Sequence, residues 1–336
     1  MQWYYILLIV LFSVLLLYVV AGIVFNKTVY DRRSDYNKYL KYFTVDDFPG
    51  LERADYFIQK KNGTQIAAFM YQNSSITSYK GVITFIHGIG AGHEAYTSII
   101  DLLCSNGYIV FSYDMASCGL SQGKGVKSPK QALEDLRETN KWLANTGEYA
   151  QYKHYVVGHS LGGFASLCSS SLDLDIKFDK IISISAINKS LGDVTPLKGL
   201  CLFFSPLLRL VEVIYYKKYL GISGANSVLS ANTPTLIIHG NKDNVVSIEV
   251  FRKLQKAAIS RDNVTCVELN NRHHQPHVSI KAEEIIDSKV MKLATLSIVA
   301  KRKTELLKEL SDSIDFNQTI EPNKELFEDI FSFLEN

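Results

Sequence analysis

The chain opens on an apolar stretch, residues 3–25, with almost no polar interruption. Such a run predicts a helix. About 23 residues at roughly 1.5 Å each reach about 34 Å, enough to cross the hydrocarbon core of a bilayer. Trp3, Tyr4 and Tyr5 at one end, and Tyr18 and Phe25 toward the other, suit interfacial positions. From Asn26 to about Arg53 the pattern becomes a mixed, tyrosine- and charge-rich connector. Beyond it, short apolar runs alternate with amphipathic segments. Residues 56–60 and 66–71 predict two strands, with Asn62-Gly63 as the hairpin turn between them. Buried strands follow at 81–86, 108–113, 155–157, 181–185, 235–239 and 264–269. Between and after them, helices are predicted over 94–105, from Pro129 through Trp142, over 247–258, over 282–310 and over 323–334, the last with Pro322 in its first turn.

Strands alternating with helices at this spacing read as an α/β fold, a mostly parallel central sheet with helices on both faces. The alternation breaks over residues 188–230. That segment is rich in Leu200, Leu202, Phe203, Phe204, Val213 and Tyr216. Lying between two strands, it reads as a helical insertion capping the site, and its apolar side chains suit an apolar ligand as well as simple packing. The expected organisation is an anchor at 1–26, a connector at 27–55, a core at 56–187 and 231–336, and a cap or lid at 188–230.

Charge and cysteine usage narrow the function classes. Lys and Arg number 36 against 34 Asp and Glu, a net charge of +2, so no case for nucleic-acid binding arises. The 5 cysteines are odd in number and form no C-x-x-C pair, which speaks against a disulfide scaffold and a cysteine zinc site. No metal and no cofactor are expected. The apolar stretch has no Lys or Arg before it, is long for a signal sequence and has only Val19-Val20-Ala21 as a poor cleavage site. A single-pass, uncleaved anchor is therefore expected. Lys27, Arg32, Arg33, Lys38 and Lys41 follow it, and the excess of positive charge on that side places the remaining domain in the cytoplasm.

The chemistry centres on Gly158-His159-Ser160-Leu161-Gly162-Gly163. A β-branched apolar run precedes it and a small apolar helix follows. Strand, G-x-S-x-G, helix is the setting of a nucleophile elbow, in which a serine sits on a sharp turn. A serine hydroxyl needs a histidine base, and the base needs an acid to orient it. Asp243 follows the 235–239 strand by a few residues, at the sheet edge where Ser160 emerges. His159, His239 and His154 sit in or beside strands and read as structural. The loop after the last strand holds His273, His274 and His277, and the base is one of these three. An oxyanion hole requires two backbone N–H groups. Leu161, after the nucleophile, supplies one, and Ile89 in His87-Gly88-Ile89-Gly90 supplies the other.

These residues together resemble the α/β-hydrolase fold family, and within it the bacterial monoacylglycerol-lipase-like serine hydrolases. The resemblance rests on His87-Gly88-Ile89-Gly90, on Asp114 with Gly119 and Ser121, on the elbow, and on His239-Gly240 with Asp243, and covers about 56–278 plus the final helix. It implies Ser160 as nucleophile, Asp243 as triad acid, and Ile89 and Leu161 as oxyanion donors. Related sequences carry G-H-N-P before a serine or threonine and an alanine-rich helix start. His274-Gln275-Pro276, with Ser279 and Ala282 beyond, fits that register, so His274 is the expected base and His273 and His277 the alternatives. Two departures stand out. Ala116-Ser117 replaces the family's Arg-Gly after Asp114, which implies altered packing there. Arg272 or His273, by register, replaces the glycine before the base.

The expected activity is hydrolysis of a carboxylic ester through an acyl-enzyme. The anchor and apolar cap favour a small lipid-like acyl substrate, such as a monoacylglycerol or lysophospholipid, met at the membrane. A peptidase or amidase on the same fold, or a non-catalytic ligand-binding member, are the alternatives. The expected orientation has a direct check: protease added to intact cells leaves the domain whole and digests it only after lysis, whereas digestion from outside reverses the orientation.

Overall fold

In the computed structural model of the chain, residues 2–29, 31–90, 92–299 and 303–336 are described. Eight strands form one sheet: β1 Leu51–Gln59, β2 Gln65–Asn73, β3 Gly81–Ile86, β4 Tyr108–Tyr113, β5 His154–His159, β6 Lys180–Ile184, β7 Thr235–Gly240 and β8 Val264–Leu269. Their order is β1-β2-β4-β3-β5-β6-β7-β8. The β1–β2 and β2–β4 pairs are antiparallel, and every later pair is parallel. Every residue of β3, β4 and β5 is buried. That is the continuous apolar pattern of parallel strands covered on both faces.

The helices are α1 Trp3–Val29, α2 Thr97–Ser105, α3 Lys130–Thr146, α4 Leu161–Cys168, α5 Lys198–Phe203, α6 Ser205–Tyr216, α7 Gly224–Ser230, α8 Ile248–Ala258, α9 Ile280–Ile285, α10 Met291–Val299, α11 Thr304–Asp312 and α12 Lys324–Glu335. Side chains along a strand point alternately to the two faces. Val82 and Ile86 of β3 therefore pack with Leu136 of α3 and Phe164 of α4. Ile83 and Phe85 pack on the other face with Ile100 and Leu103 of α2 and Ile330 of α12.

Four departures from the sequence pattern have physical causes. The first strand starts at Leu51, inside the expected connector, because its register with β2 runs from Leu51 opposite Asn73 to Gln59 opposite Gln65. The helix expected over 282–310 is instead α9, a π-helical turn at Ile286–Val290, α10 and α11. Folding back lets Leu293 of α10, Leu307 of α11 and Ile314 bury one another, which a straight helix would prevent. Lys301 and Arg302, expected on that helix, lie outside the described residues. Pro322 precedes the N-cap, and Asn323 caps α12 by accepting from Leu326 N–H at 3.3 Å. Finally, the end of the 188–230 insertion is not cap: Val228 of α7 packs with Leu167 of α4 and Phe251 and Leu254 of α8.

The helix α1 is long and apolar enough to cross a membrane. Its C-terminal half packs on the insertion. Phe25 stacks on Phe204 at 5.1 Å, and the Tyr18 hydroxyl donates to the Phe203 carbonyl at 2.9 Å.

Candidate active site

Ser160 joins β5 to α4 with φ 57° and ψ −114°. A positive φ is costly for a residue with a β-carbon and persists only where the surroundings enforce it. Close packing does so here. A β-carbon on Gly158 would lie 2.2 Å from the Gly162 carbonyl oxygen, and one on Gly162 would lie 2.0 Å from that of Ile86. The turn thus presents the Ser160 hydroxyl at the carboxyl edge of the sheet, half-buried rather than walled in.

The structure brings Ser160, His274 and Asp243 together. His274 Nε2 lies 3.1 Å from Ser160 Oγ, and His274 Nδ1 lies 2.8 Å from Asp243 Oδ2. Asp243 Oδ1 accepts from the Val245 and Val246 N–H groups, each at 2.8 Å, which leaves Oδ2 aimed at the imidazole. With Nδ1–H donating to the carboxylate, Nε2 is free to accept the serine proton. Neither alternative histidine bridges serine and acid. His273 turns outward to Asp287 at 3.0 Å. His277 is buried, with its ring 4.5 Å from that of His159, and burial followed by the charges of His274 and Arg272 pushes its pKa down to about 3.

The histidine loop is held from several sides. Arg272, one of the two positions considered for the missing glycine, is buried. It donates from Nε to Glu283 of α9 at 2.8 Å and also bonds the Val278 carbonyl. The other Glu283 oxygen accepts from Gln275 N–H at 2.9 Å. Gly240 must be glycine, since a β-carbon there would lie 2.3 Å from the carbonyl oxygens of both Arg272 and His273.

A second network ties that loop to the one after β3. Gly88 N–H donates to the Tyr96 hydroxyl at 3.1 Å, which lies 2.8 Å from His159 Nδ1. His159 Nε2 lies 2.8 Å from the His274 carbonyl oxygen. A carbonyl only accepts, so Nε2 carries the proton, Nδ1 is the acceptor and Tyr96 donates to it. Burial, followed by His277 and His274 nearby, holds His159 far below the usual imidazole range, in the neutral form this arrangement needs. Neither Tyr96 nor Glu283 stood out in the sequence. Tyr96 carries no motif, and the one signal for Glu283 was a loop arginine whose burial demands an acid.

Ile89 lies in the loop after β3 and Leu161 at the first turn of α4. A β-carbon on Gly88 would approach Ser160 Cβ to 3.2 Å, so that loop lies against the serine. Asp114 braces it, accepting from His93 N–H at 2.8 Å and from Leu120 N–H at 2.7 Å. Ile89, Gly90 and Leu161 line a cavity of about 670 Å3. Among the described residues, Leu191 alone of the 188–230 insertion reaches this cavity. Its other walls come from the connector, from Met115, Cys118 and Val126 after β4, from Gln131 and Ala132 of α3 and from α10, so the insertion is only a minor part of the roof expected of it.

Removing the Tyr96 hydroxyl leaves Gly88 N–H and His159 Nδ1 without a partner. Tyr96→Phe is expected to destabilise the folded chain by about 1–3 kcal/mol, read by thermal or denaturant unfolding in detergent.

A sequence model of the family described as "Serine aminopeptidase, S33" matches residues 77–222, which include the Ile89 loop and the Ser160 elbow. Among solved structures, an esterase from Pyrococcus furiosus is similar at 19% identity, covering 80% of this chain and 97% of its own, with a TM-score of 0.56. Another crystal form of that esterase gives 20% identity over 81% and 95%, with a TM-score of 0.55. A serine hydrolase homologue from Coxiella burnetii gives 18% identity over 76% and 96%, with a TM-score of 0.46. No curated protein matches the sequence. With its eight-stranded order, its serine on a strained strand–helix turn and the match over residues 77–222, the chain has the α/β-hydrolase fold.

Proposed function

We propose that this protein is a serine hydrolase that cleaves carboxylic esters with an apolar, lipid-like acyl group. The observation that carries the reading is the line from Ser160 Oγ through the His274 ring to Asp243, at 3.1 Å and 2.8 Å. Ser160 Oγ attacks the acyl carbonyl while His274 Nε2 takes its proton. Asp243 stabilises the imidazolium that forms. The negative charge on the carbonyl oxygen is met by the N–H groups of Leu161 and Ile89. His274 then returns the proton to the leaving alcohol. Water cleaves the acyl-enzyme by the same route and releases the acid.

An amidase or peptidase uses the same chemistry, and the description of the matching family model favours considering one. The cavity argues against an aminopeptidase. An aminopeptidase needs a carboxylate to hold a free amino terminus. Among the described residues, the single acid lining the cavity is Asp35, which is paired with Arg33, and Arg32 and Lys38 line it as well. That lining repels an ammonium group. The anchor-like helix α1 and the apolar walls support a lipid-like acyl group, such as that of a monoacylglycerol or lysophospholipid.

Hydrolysis of p-nitrophenyl esters is the direct assay, with aminopeptidase substrates run in parallel. Ser160→Ala and His274→Ala should each lower kcat by roughly 10^4-fold or more. His273→Ala should stay within a few-fold of wild type. Full loss in His273→Ala with activity kept in His274→Ala would reassign the base. Turnover of the aminopeptidase substrate alone would replace the ester reading.

A further inference from the structure

The cavity beside Ser160 is built largely by a segment outside the part of the chain that matches a family model. Residues 32–40 and Tyr42 of the connector line one side, and Ala294, Ser297 and Ile298 of α10 line another. Neither element is near the serine in sequence. We infer that the connector leading from α1 is a wall of the acyl-binding site, so that the acyl chain lies between it and α10. This rests on the ester reading above.

The connector is fastened at both ends of the cavity. At its start, Ser34 N–H donates to the Ser117 carbonyl at 2.8 Å, and Gly119 N–H donates back to the Ser34 carbonyl at 2.9 Å. The Arg33 guanidinium bonds the carbonyls of Gly119 and Ser121. These contacts fall on the backbone of the loop after Asp114, at Ser117, Gly119 and Ser121. Further along, Asn37 Nδ2 donates to Ser297 Oγ at 2.8 Å, and the Ser311 hydroxyl donates to the Tyr39 carbonyl at 2.6 Å. Tyr39 and Leu40 pack against the cluster of Leu293 and Leu307. A segment that only tethered a domain to its anchor would need none of these bonds.

Tyr36, between the two fastenings, lines the cavity together with Leu40 and Ile298, and Ile89 and Leu161 line its serine end. Thr28, in the last turn of α1, also lines it. The lining therefore extends from Leu161, next to the reacting serine, to Thr28 where α1 ends. A volume of about 670 Å3 is within the usual range of small-molecule sites. A long single acyl chain is accommodated by this volume, with its ester at Ser160 and its tail toward the base of α1. A short acyl group fills only the serine end.

The test uses the full chain in detergent, with p-nitrophenyl acetate, p-nitrophenyl dodecanoate and a fluorophosphonate probe. Ala294→Trp places an indole in the cavity away from the serine. The ratio of dodecanoate to acetate kcat/KM is expected to fall about tenfold or more, the scale on which apolar pockets discriminate by size. Labelling of Ser160 by the probe reports that the protein is folded. If the indole prevents folding and labelling, Leu40→Ala takes its place. It widens the cavity and should raise the ratio of p-nitrophenyl palmitate to acetate kcat/KM. An unchanged ratio in a labelled Ala294→Trp protein, or in Leu40→Ala, overturns the inference. Failure of the wild type to label or to cleave either ester overturns the ester reading instead.

Discussion

The constraint on which the molecule depends is the turn that holds Ser160 in a left-handed conformation at the edge of the sheet. It exists because β3, β5 and α4 approach too closely at Gly158 and Gly162 for any β-carbon. The strain is useful. It lifts one hydroxyl out of a buried strand end, into reach of an imidazole that arrives from a loop more than a hundred residues away. The parallel sheet makes the meeting possible, since the carboxyl ends of β3, β5, β7 and β8 all open on the same side.

What surrounds the serine is a set of braces rather than further reactive groups. Tyr96 and a neutral His159 join the loop after β3 to the backbone of His274. Glu283 neutralises a buried Arg272 and takes a loop N–H with its second oxygen. Asp114 spends its oxygens on the backbone of two loops. Each pairing satisfies a buried polar group that would otherwise be costly, and each fixes one edge of the same small volume. Proton transfer over a hydrogen bond needs that precision, because a shift of about 1 Å in the imidazole costs a large share of the rate.

The parts of this arrangement that were legible in the sequence share a physical origin. Strands β3, β4 and β8 read clearly, as short runs dominated by apolar and β-branched residues and bounded by glycine and polar turns. The elbow read clearly because its glycines are demanded locally. Asp243 followed from its distance beyond β7. The choice among His273, His274 and His277 was not legible from residue types, since it depends on Gly240 approaching two carbonyl groups and on Arg272 meeting Glu283. The C-terminal fold-back and the connector wall were hidden for the same reason. Leu293 meets Leu307, and Asn37 meets Ser297, only through tertiary packing that no local periodicity encodes. The cap was over-read from composition: among the described residues of 188–230, Leu191 alone lines the cavity, Phe204 packs on Phe25 of α1, Val228 joins the α4–α8 layer, and Leu202, Phe203 and Ile214 are exposed.

The central claim, that the Ser160 hydroxyl is a nucleophile activated by His274 and Asp243, is tested most directly by intact-mass measurement of the folded, full-length protein after exposure to a fluorophosphonate probe. The account predicts a single adduct, mapped to the peptide containing Ser160, absent from Ser160→Ala and formed far more slowly in His274→Ala. A folded wild type that gains no adduct, or an adduct that persists in Ser160→Ala, would contradict it.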